Sequence, residues 1–495
     1  MIAVVGAGIG GLVAGILCAA AGERVVVLER GPRAGGKAGV VTLDGVEVDT
    51  GPSVLTLPEV FDDVLRRAGR RLHDEVGLRR PDPATRYLFP GGVVLDVHPD
   101  PEATLEATRA ALGDEAAREL RAFLAHAASI WTHAAPPFVL GPAPTVGHVL
   151  SLGPRAWAGV GRIDALRTLA GTIDRRVRTP ELRALLGRFA TYNGSDLRRT
   201  PATMACIAHV ELTLGIHGVE GGIHALVQAL VRTLEALGGE VRTGCGVDRV
   251  LLGGGRARGV RTEAGEELAA DAVVVNADVR HLADALLPPR TPHRLPRAEP
   301  STSGWVGILR ARRTADRVGH TVLFPERPYV EEFVDLFDRD RPPEEPTVYL
   351  CAQERCHGRR GWADHEPVFV MANTPAEPED GPRDAALWTA LEATVLRRLH
   401  HAGLAAEDDR IVWRRSPTGL AQAFPGTRGA IYGAASNDRF AAFRRPTNRL
   451  RTVPGVYLAS GSAHPGGGLP LCALSGREAA RALLDDRGLG LPAPR

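Results

Sequence analysis

The sequence predicts an α/β fold in which a dinucleotide-binding (Rossmann-like) domain is interrupted by an α+β domain. Two observations predict the first domain: a glycine-rich turn joins a strand to a helix at the start of the chain, and the next apolar strand ends in an acid. A third is that apolar strands of the same kind return near residues 272 and 456. A chain of 495 residues is also too long for one core. We therefore expect two domains, the first of them discontinuous.

The first residues predict a nucleotide site. Residues 2–5 form a short apolar strand, and the G-x-G-x-x-G turn after it contains Gly6, Gly8 and Gly11. A helix of small residues follows, and its N-terminus offers unpaired N–H groups and a partial positive charge to phosphates. Gly6 allows the tight turn, Gly8 lets a pyrophosphate approach the backbone, and Gly11 lets the helix pack on the strand.

The second strand, residues 24–28, ends in Glu29. A carboxylate at this point accepts hydrogen bonds from both ribose hydroxyls and disfavours a 2′-phosphate. A glycine-rich turn also occurs in proteins as a structural feature without a ligand. Because strand, helix and acid are all present here, the context favours a nucleotide site.

A second glycine cluster with one cation follows this acid. It contains Gly36 and Lys37, and Lys37 is the only lysine of the chain. Together with Glu29, the cluster resembles the E-x(6)-G-G-[RK] extension of FAD-dependent amine oxidases and carotenoid desaturases. The resemblance implies FAD, a cofactor domain of the amine oxidase type, and phosphate or flavin contacts at Gly36 and Lys37. The alternative for Lys37 is a stray surface lysine.

Two further stretches extend the resemblance. Residues 49–53 resemble the turn beneath the flavin ring in that family, which implies a contact at Gly51. After an amphipathic helix at residues 220–237, the strands between residues 240 and 275 complete the nucleotide-binding sheet. Among them, Val247 matches the position whose backbone meets the adenine in the family.

The C-terminal segment predicts a second helix N-terminus at the flavin. An apolar strand at residues 456–460 leads into a glycine-rich loop and then into a helix over residues 471–484. Such a loop supplies N–H groups and positive potential, which stabilise the negative charge of a reduced flavin. Its pattern, L-A-S-G-S-x-H-P-G-G-G-x-P, resembles the C-terminus of carotenoid desaturases, and most closely that of 1-hydroxycarotenoid 3,4-desaturases. The cofactor contacts that the resemblance implies here are Gly461, Ser462, Gly467 and Pro470.

The resemblance implies dehydrogenation of a polyene, in which a hydride and a proton leave neighbouring carbons. The flavin takes the hydride, so the protein mainly has to orient the substrate in an apolar tunnel. His464 is the candidate catalytic residue for deprotonation, because it lies in the flavin-proximal loop and has a usable pKa. The alternative is that His464 positions that loop through hydrogen bonds.

Two excursions from the nucleotide-binding sheet predict the second domain. We assign residues 1–80, 215–290 and 448–495 to the FAD-binding domain. Residues 81–214 and 291–447 are assigned to a domain that faces the substrate and the membrane. Four aromatic residues of the second excursion are either packing residues or the apolar walls of a polyene pocket. They are Phe424, Tyr432, Phe440 and Phe443.

The first excursion predicts a helical region from residue 101 to about His133, with Pro136 and Pro137 as its stop. Residues 151–177 then carry an apolar stripe at near-helical spacing, with arginines off the stripe. The stripe is either a core helix with a solvated basic face or an interfacial helix that dips into lipid, and the sequence favours the core helix. It consists of Trp157, Val160, Ile163, Leu166, Leu169 and Ile173, flanked by Arg155, Arg162, Arg167 and Arg175.

Composition excludes several classes of function. A net charge of +2 gives no electrostatic case for nucleic acid binding. No stretch approaches the roughly twenty apolar residues of a membrane span, and the N-terminus lacks a basic leader. Scattered cysteines fit a reducing compartment. Cys351 and Cys356 form a C-x(4)-C pair, but no second pair follows, so we expect free thiols and no metal site.

We therefore predict a cytoplasmic, peripherally membrane-associated enzyme that desaturates an acyclic, hydroxylated carotenoid with FAD. A terminal hydroxyl gives such a site one polar handle; Tyr192 and Asn193 are merely polar residues in a family-like stretch. Phytoene desaturation is the alternative within the same class. An amine oxidase-like enzyme or isomerase on a polar substrate, and a non-catalytic FAD-binding protein, stay open. Ser462 weakens the amine-oxidase alternative, because many amine oxidases carry an acid at this position.

Overall fold

The computed structural model describes residues 1–144 and 163–495. The strands, numbered in chain order, are β1 (Ile2–Val5), β2 (Val25–Leu28), β3 (Val40–Leu43), β4 (Val46–Asp49), β5 (Leu78–Arg79), β6 (Thr85–Leu88), β7 (Val94–Val97), β8 (Gly218–Val219), β9 (Glu240–Arg242), β10 (Val247–Gly253), β11 (Arg256–Thr262), β12 (Glu267–Ala269), β13 (Ala272–Val275), β14 (Ser303–Arg312), β15 (His320–Leu323), β16 (Val348–Ala352), β17 (His365–Thr374), β18 (Arg410–Arg415) and β19 (Val456–Leu458).

The α-helices are numbered in the same way, and short 3₁₀ and π turns connect several of them. They are α1 (Ile9–Ala20), α2 (Pro58–Arg67), α3 (Leu72–Glu75), α4 (Pro101–Leu112), α5 (Asp114–Phe138), α6 (Leu169–Arg176), α7 (Pro180–Gly187), α8 (Cys206–His209), α9 (Ile223–Ala236), α10 (Val279–His281), α11 (Val330–Phe333), α12 (Gln353–His357), α13 (Ala385–His401), α14 (Pro417–Ala423), α15 (Ala441–Arg444) and α16 (Leu469–Asp486).

A five-stranded parallel sheet carries the N-terminal motif, in the strand order β19-β13-β1-β2-β9. Every residue of β1, β2 and β13 is buried. Because helices cover both faces of such a sheet, its strands appear in the sequence as continuous apolar runs. The predicted α/β fold is therefore confirmed, and widely separated parts of the chain supply its central sheet.

The first and last long helices pack against each other on this sheet. Gly10 of α1 and Gly476 of α16 lie at the contact, and a Cβ on Gly476 would overlap the carbonyl oxygen of Gly10. A Cβ on Gly10 would in turn overlap the carbonyl oxygen of Ala459, just after β19. These glycines thus let the N-terminal and C-terminal segments, for which the sequence predicts cofactor contacts, lie side by side.

A seven-stranded sheet, β18-β14-β17-β16-β15-β6-β7, joins the two excursions. Its pairs are antiparallel except β15 with β6, which run parallel. The strands of the first excursion (β6, β7) and of the second (β14 to β18) therefore form one structure. All seven fall within the segments assigned to the substrate-facing domain, whose exact boundaries stay a prediction.

The helical region predicted from residue 101 is confirmed, but the stop predicted for it was wrong. The region is divided at Gly113 into α4 and α5, and α5 passes Pro136 and Pro137 to end at Phe138. Both prolines lie in the last turn of α5, and each lacks the N–H that would bond the carbonyl four residues earlier. The N–H groups of residues 139 and 140 instead bond to the carbonyl of Ala135 and close the helix.

The apolar stripe predicted over residues 151–177 is only partly within the described residues, since Trp157 and Val160 lie outside them. In the described part the helix begins at Leu169, with Thr168 as its N-cap. Ile163, Leu169 and Ile173 are buried in the core, as the favoured interpretation requires. Leu166 is 85% exposed and does not continue the stripe, because it precedes the helix in a turn.

Candidate active site

The N-terminal turn has the geometry of an anion-binding helix start. Gly6 adopts a φ of 95°, which L side chains rarely reach, and a Cβ on Gly11 would overlap the carbonyl oxygen of Gly6. Gly8 occupies the N-cap position of α1 and has no side chain to bond the first N–H groups of the helix. Those groups are therefore available to a phosphate, which is the fit that a dinucleotide requires.

Gly8 also makes room for Asn276, a contact that the sequence did not reveal. A Cβ on Gly8 would overlap Asn276 Oδ1. Asn276 follows β13, and its Nδ2 donates a hydrogen bond of 2.6 Å to the carbonyl of Ala459. One amide side chain thus links the first turn, the end of β13 and the end of β19. The only signal in the sequence is the polar turn that follows β13.

Glu29 lies at the first turn, where its carboxylate accepts hydrogen bonds from the backbone N–H groups of Ala7 (2.8 Å) and Gly31 (2.7 Å). Its carbonyl accepts the N–H of Cys245 at 2.7 Å. This contact places the start of β10, with Val247 as its buried first residue, beside the acid. The arrangement fits the predicted ribose and adenine contacts, which stay predictions.

The second glycine cluster lies directly on the first. Gly35 bridges to Gly8 and donates its N–H to the carbonyl of Ala7 at 2.9 Å. A Cβ on Gly36 would lie 3.5 Å from Gly8 Cα. The extension therefore contributes to the same backbone cradle, as the resemblance implies.

Lys37 is half-buried and bonded to the backbone, so it is not a stray surface residue. Its Nζ donates two hydrogen bonds of 2.8 Å, to the carbonyls of Ala430 and Ile431. Burial lowers the pKa of Lys37, and the charge of Asp278 opposes that shift. Two of the three ammonium N–H groups thus hold the 430–431 backbone, and the phosphate or flavin contact of Lys37 stays a prediction. A Cβ on Gly51 would overlap the Lys37 carbonyl, which places the 49–53 turn against this lysine.

The C-terminal loop ends at the N-terminus of α16. Gly468 is the N-cap with a φ of 111°, no side chain caps the helix, and Pro470 lies in its first turn. Gly461 and Gly467 are in close contact, since a Cβ on Gly461 would lie 3.1 Å from Gly467 Cα. Ser462 Oγ accepts the N–H of Val279 at 3.0 Å. A second uncapped helix start therefore faces the same region as α1.

His464 is held on several sides within this loop. Its Nε2–H donates to the carbonyl of Gly141 at 3.0 Å, and its backbone N–H donates to Pro446 at 3.0 Å. Its own carbonyl accepts a bond of 2.9 Å from Asn448 Nδ2. Burial lowers the pKa of His464 to about 4. A neutral imidazole whose Nε2 is occupied favours the positioning role over proton abstraction.

Arg445 is a site residue that sequence reasoning missed. Its Nη2 donates to the carbonyl of Ala434 at 2.9 Å, and its Cζ lies 3.3 Å from where a Cβ on Gly466 would be. Its Nη1 is buried without a hydrogen-bond partner among the described residues. Burial lowers the pKa of Arg445 to about 10, so the guanidinium stays charged at neutral pH. A half-buried cation, one of whose donors is buried without a partner among the described residues, thus lies beside the C-terminal glycines.

A second buried arginine, Arg188, lies farther into the substrate-facing core. Its Nη2 donates to the hydroxyls of Tyr87 and Tyr192, both at 3.0 Å, and to Glu211 Oε1 at 3.1 Å. Burial raises the pKa of Tyr432 to about 12, and the nearby Arg188 charge opposes that shift. From the sequence, Tyr192 is only a polar residue in a stretch that resembles carotenoid desaturases.

A cleft of about 270 Å³ lies beside the C-terminal loop. Arg445 lines it together with Ser462 and with Gly433, whose own Cβ would lie 2.8 Å from Ser462. Nearby, Tyr432 packs on Gly467, where a Cβ would lie 2.7 Å from Tyr432 Cα. Tyr432, one of the four aromatic residues considered as walls of a polyene pocket, is thus adjacent to the C-terminal loop.

Comparison with known proteins decides the family. Residues 9–484 match the family model described as flavin containing amine oxidoreductase. The chain belongs to this family. It is 36% identical to hydroxyneurosporene desaturase of Rubrivivax gelatinosus over 98% of this chain and 93% of that protein. It is 34% identical to hydroxyneurosporene desaturase of Rhodobacter capsulatus over 98% of both chains.

A more distant relative is the 4,4′-diapolycopene oxygenase of Methylomonas sp, at 30% identity over 96% of both chains. Among solved structures, putrescine oxidase with bound putrescine matches with a TM-score of 0.63 at 17% identity over 98% of both chains. An oxidoreductase of Methanosarcina mazei matches with a TM-score of 0.60 at 16% identity, over 98% of this chain and 99% of that one. The predicted membership of the carotenoid desaturase group, the amine oxidase fold and the FAD cofactor are confirmed.

Proposed function

We propose that this flavoprotein desaturates an acyclic carotenoid close to a hydroxylated end. The observation that carries the proposal is its near full-length similarity to two proteins named hydroxyneurosporene desaturase. When bound, FAD supplies the hydride acceptor. The residues of this chain hold the cofactor, orient the polyene and exclude water from the reacting carbons.

The cofactor contacts proposed here come from both ends of the chain. The α1 turn holds the pyrophosphate, Glu29 the ribose and the Val247 backbone the adenine. The C-terminal loop and the N-terminus of α16 stabilise negative charge on the ring. Lys37 is assigned a supporting role, because its ammonium fixes the 430–431 backbone next to this ring site. The remaining proposed contacts are Gly6, Gly8, Gly11, Gly36, Gly51, Gly461, Ser462, Gly467 and Pro470.

Arg445 is the proposed polar handle for the substrate hydroxyl. It lines the cleft, and one of its donors has no partner among the described residues. Asn193 Oδ1 and Ser436 Oγ both lie 3.4 Å from its Nη2, so they are long contacts that a small displacement releases. A hydroxyl oxygen accepting from Nη1–H satisfies the orphaned donor, whereas a hydrocarbon end leaves it unpaired. This difference favours hydroxylated substrates.

Competition tests this function directly. FAD-loaded protein is given a hydroxylated acyclic carotenoid and phytoene at equal concentration in liposomes, and products are separated by chromatography. We expect faster turnover of the hydroxylated substrate. In Arg445→Met the preference should fall about tenfold to hundredfold, the value of one charge-assisted hydrogen bond. Arg445→Lys, which keeps a cation, is the matched control. Faster turnover of phytoene by the unmodified protein contradicts the proposal and favours phytoene desaturation.

We also propose peripheral membrane association, since the substrate is lipophilic. In the described part of the chain no helix has the length and hydropathy needed to cross a bilayer. Phe440 and Phe443 are 55% and 40% exposed, and Phe443 packs edge-on against Phe138 at 6.0 Å. Leu140, two residues beyond Phe138, is 37% exposed. Among the described residues, this aromatic patch next to the cleft is the candidate for lipid contact, in place of the stripe predicted over residues 151–177.

Liposome sedimentation tests the patch. Phe440→Ser combined with Phe443→Ser should reduce the bound fraction severalfold while the flavin absorbance is kept, since the loss of exposed apolar area weakens interfacial binding. Leu489→Ser is the control, because Leu489 is 40% exposed near the C-terminus and outside the patch. Unchanged sedimentation of the double variant contradicts the assignment.

A further inference from the structure

A histidine and two cysteines meet in the seven-stranded sheet, outside the proposed active site. His320 of β15 and Cys351 of β16 are direct partners across the antiparallel ladder. Cys356 lies in α12, the short helix that follows β16. Their ligand atoms, one nitrogen and two sulfurs, all lie within 4.8 Å of one another. The sequence pattern predicted free thiols because His320 is a cross-strand neighbour rather than part of a C-x(4)-C motif.

The spacing is close to that of a tetrahedral zinc site. His320 Nε2 lies 3.2 Å from Cys356 Sγ. Zinc–sulfur and zinc–nitrogen bonds of about 2.3 and 2.0 Å at tetrahedral angles separate such atoms by about 3.5 Å. For this pair a shift of a few tenths of an ångström suffices, and all three ligand atoms lie within 4.8 Å of one another. Crowding around the site is already relieved by Gly319, where a Cβ would lie 2.8 Å from Cys356 Sγ.

The neighbouring groups orient these ligands as outer-shell partners of metal sites do. Tyr349 OH lies 2.8 Å from His320 Nδ1 and 2.8 Å from Ser53 Oγ, which leaves His320 Nε2 directed at the sulfurs. His357 Nδ1 accepts the N–H of Val219 at 3.1 Å, so its Nε2 carries a proton. That Nε2–H lies 3.8 Å from Cys351 Sγ and is placed to stabilise a thiolate.

Burial and charge also favour a bound metal ion at this cluster. His320, Cys351, Cys356 and His357 each have no exposed surface. Two buried thiolates would need a compensating positive charge. A divalent cation bound by both brings the net charge of the cluster to zero. Ser53 is the last residue of the 49–53 turn on the cofactor side, and Val219 belongs to β8 before α9. The cluster thus lies where the seven-stranded sheet meets the nucleotide-binding domain.

We propose that His320, Cys351 and Cys356 bind a zinc ion that fixes the corner between β16 and α12 against the nucleotide-binding domain. Thiolate and imidazole ligands select Zn²⁺ over Mg²⁺ or Ca²⁺. His357 is excluded as a ligand by its proton, so a water molecule takes the fourth position, as in zinc sites with three protein ligands. None of the three ligands lines the cleft proposed for the substrate, so the ion would hold β16 and α12 in place whichever carotenoid the enzyme uses.

Metal analysis of the FAD-loaded protein, purified without chelators, tests the proposal. Plasma mass spectrometry should find about one zinc ion per chain. Cys356→Ser and His320→Ala should each lose most of it, whereas Cys206→Ser, at a cysteine in α8, should keep it. Flavin absorbance of every variant reports folding. Zinc that persists in both site variants, or that is absent even after incubation with ZnCl₂, overturns the assignment.

Two measurements on the unmodified protein keep the test independent of how the variants fold. X-ray absorption at the zinc edge should show a sulfur shell at about 2.3 Å with nitrogen or oxygen at about 2.0 Å. A spectrum without sulfur means adventitious zinc on surface histidines and refutes the site. Mass spectrometry after alkylation under denaturing conditions should find both cysteines reduced, and a Cys351–Cys356 disulfide would refute it as well.

Discussion

Replacing His464 by glutamine separates the two roles considered for this residue. Glutamine keeps an N–H donor for the carbonyl of Gly141, which His464 Nε2 reaches at 3.0 Å, but it does not titrate. If His464 positions the loop, the variant should fold, bind FAD and desaturate its substrate at a rate within about tenfold of the unmodified protein. If His464 accepts the proton, the rate should fall about 10²- to 10⁴-fold.

The pH dependence of stability gives a second, quantitative readout. Burial lowers the pKa of His464 from 6.5 to about 4, so protonation favours the unfolded chain between these values. The contribution of His464 to stability is therefore complete above the unfolded pKa and is lost as the pH falls through the folded pKa. Linkage gives a loss of about 3 kcal/mol over the whole window, of which about 2 kcal/mol falls between pH 7 and pH 5.

Urea unfolding of the FAD-loaded proteins at these two pH values measures the effect. Other buried groups titrate in the same range, but they are common to both proteins and cancel in the difference. The unmodified protein should lose about 2 kcal/mol more than His464→Gln on acidification. Equal losses refute a buried neutral imidazole, and with it the physical basis for the positioning role. Histidine-selective NMR provides the direct check. The signal of His464, identified by its absence from His464→Gln, should titrate only near the lowered pKa of about 4.

Two further perturbations test the cofactor site and the substrate-facing core. Gly8→Val and Glu29→Ala should both lower the ratio of flavin to protein absorbance, and Gly8→Val more, because its Cβ obstructs the pyrophosphate and also overlaps Asn276. Normal FAD content in both variants contradicts the N-terminal assignment. Glu211→Ala should cost about 3–5 kcal/mol, because it leaves a buried guanidinium unpaired. Glu102→Ala, which breaks an exposed pair, should cost below about 1 kcal/mol, and equal thermal shifts would show that the buried pair is not stabilising.

The elements that the sequence predicted well depend on local pattern. The turn at Gly6, Gly8 and Gly11 is readable because its glycines have fixed spacing between a strand and a helix. The contact between Gly8 and Asn276 is not readable, since it joins segments about 270 residues apart through one amide. Arg445 was missed for a related reason: an arginine in a chain rich in arginine carries no signal until the fold buries one of its donors without a partner among the described residues.

The positive potential at the two chain ends gives the strongest physical reason to regard them as one anion-binding site. Lys37 is half-buried, and no salt bridge joins it to a carboxylate among the described residues, although the charge of Asp278 acts on it. Two uncapped helix starts, those of α1 and α16, add positive potential to the same part of the fold. Burying positive charge in this way is unfavourable unless an anion compensates it. The diphosphate of FAD and the negative charge of its reduced ring are such anions, so FAD binding should stabilise the protein more at low than at high ionic strength.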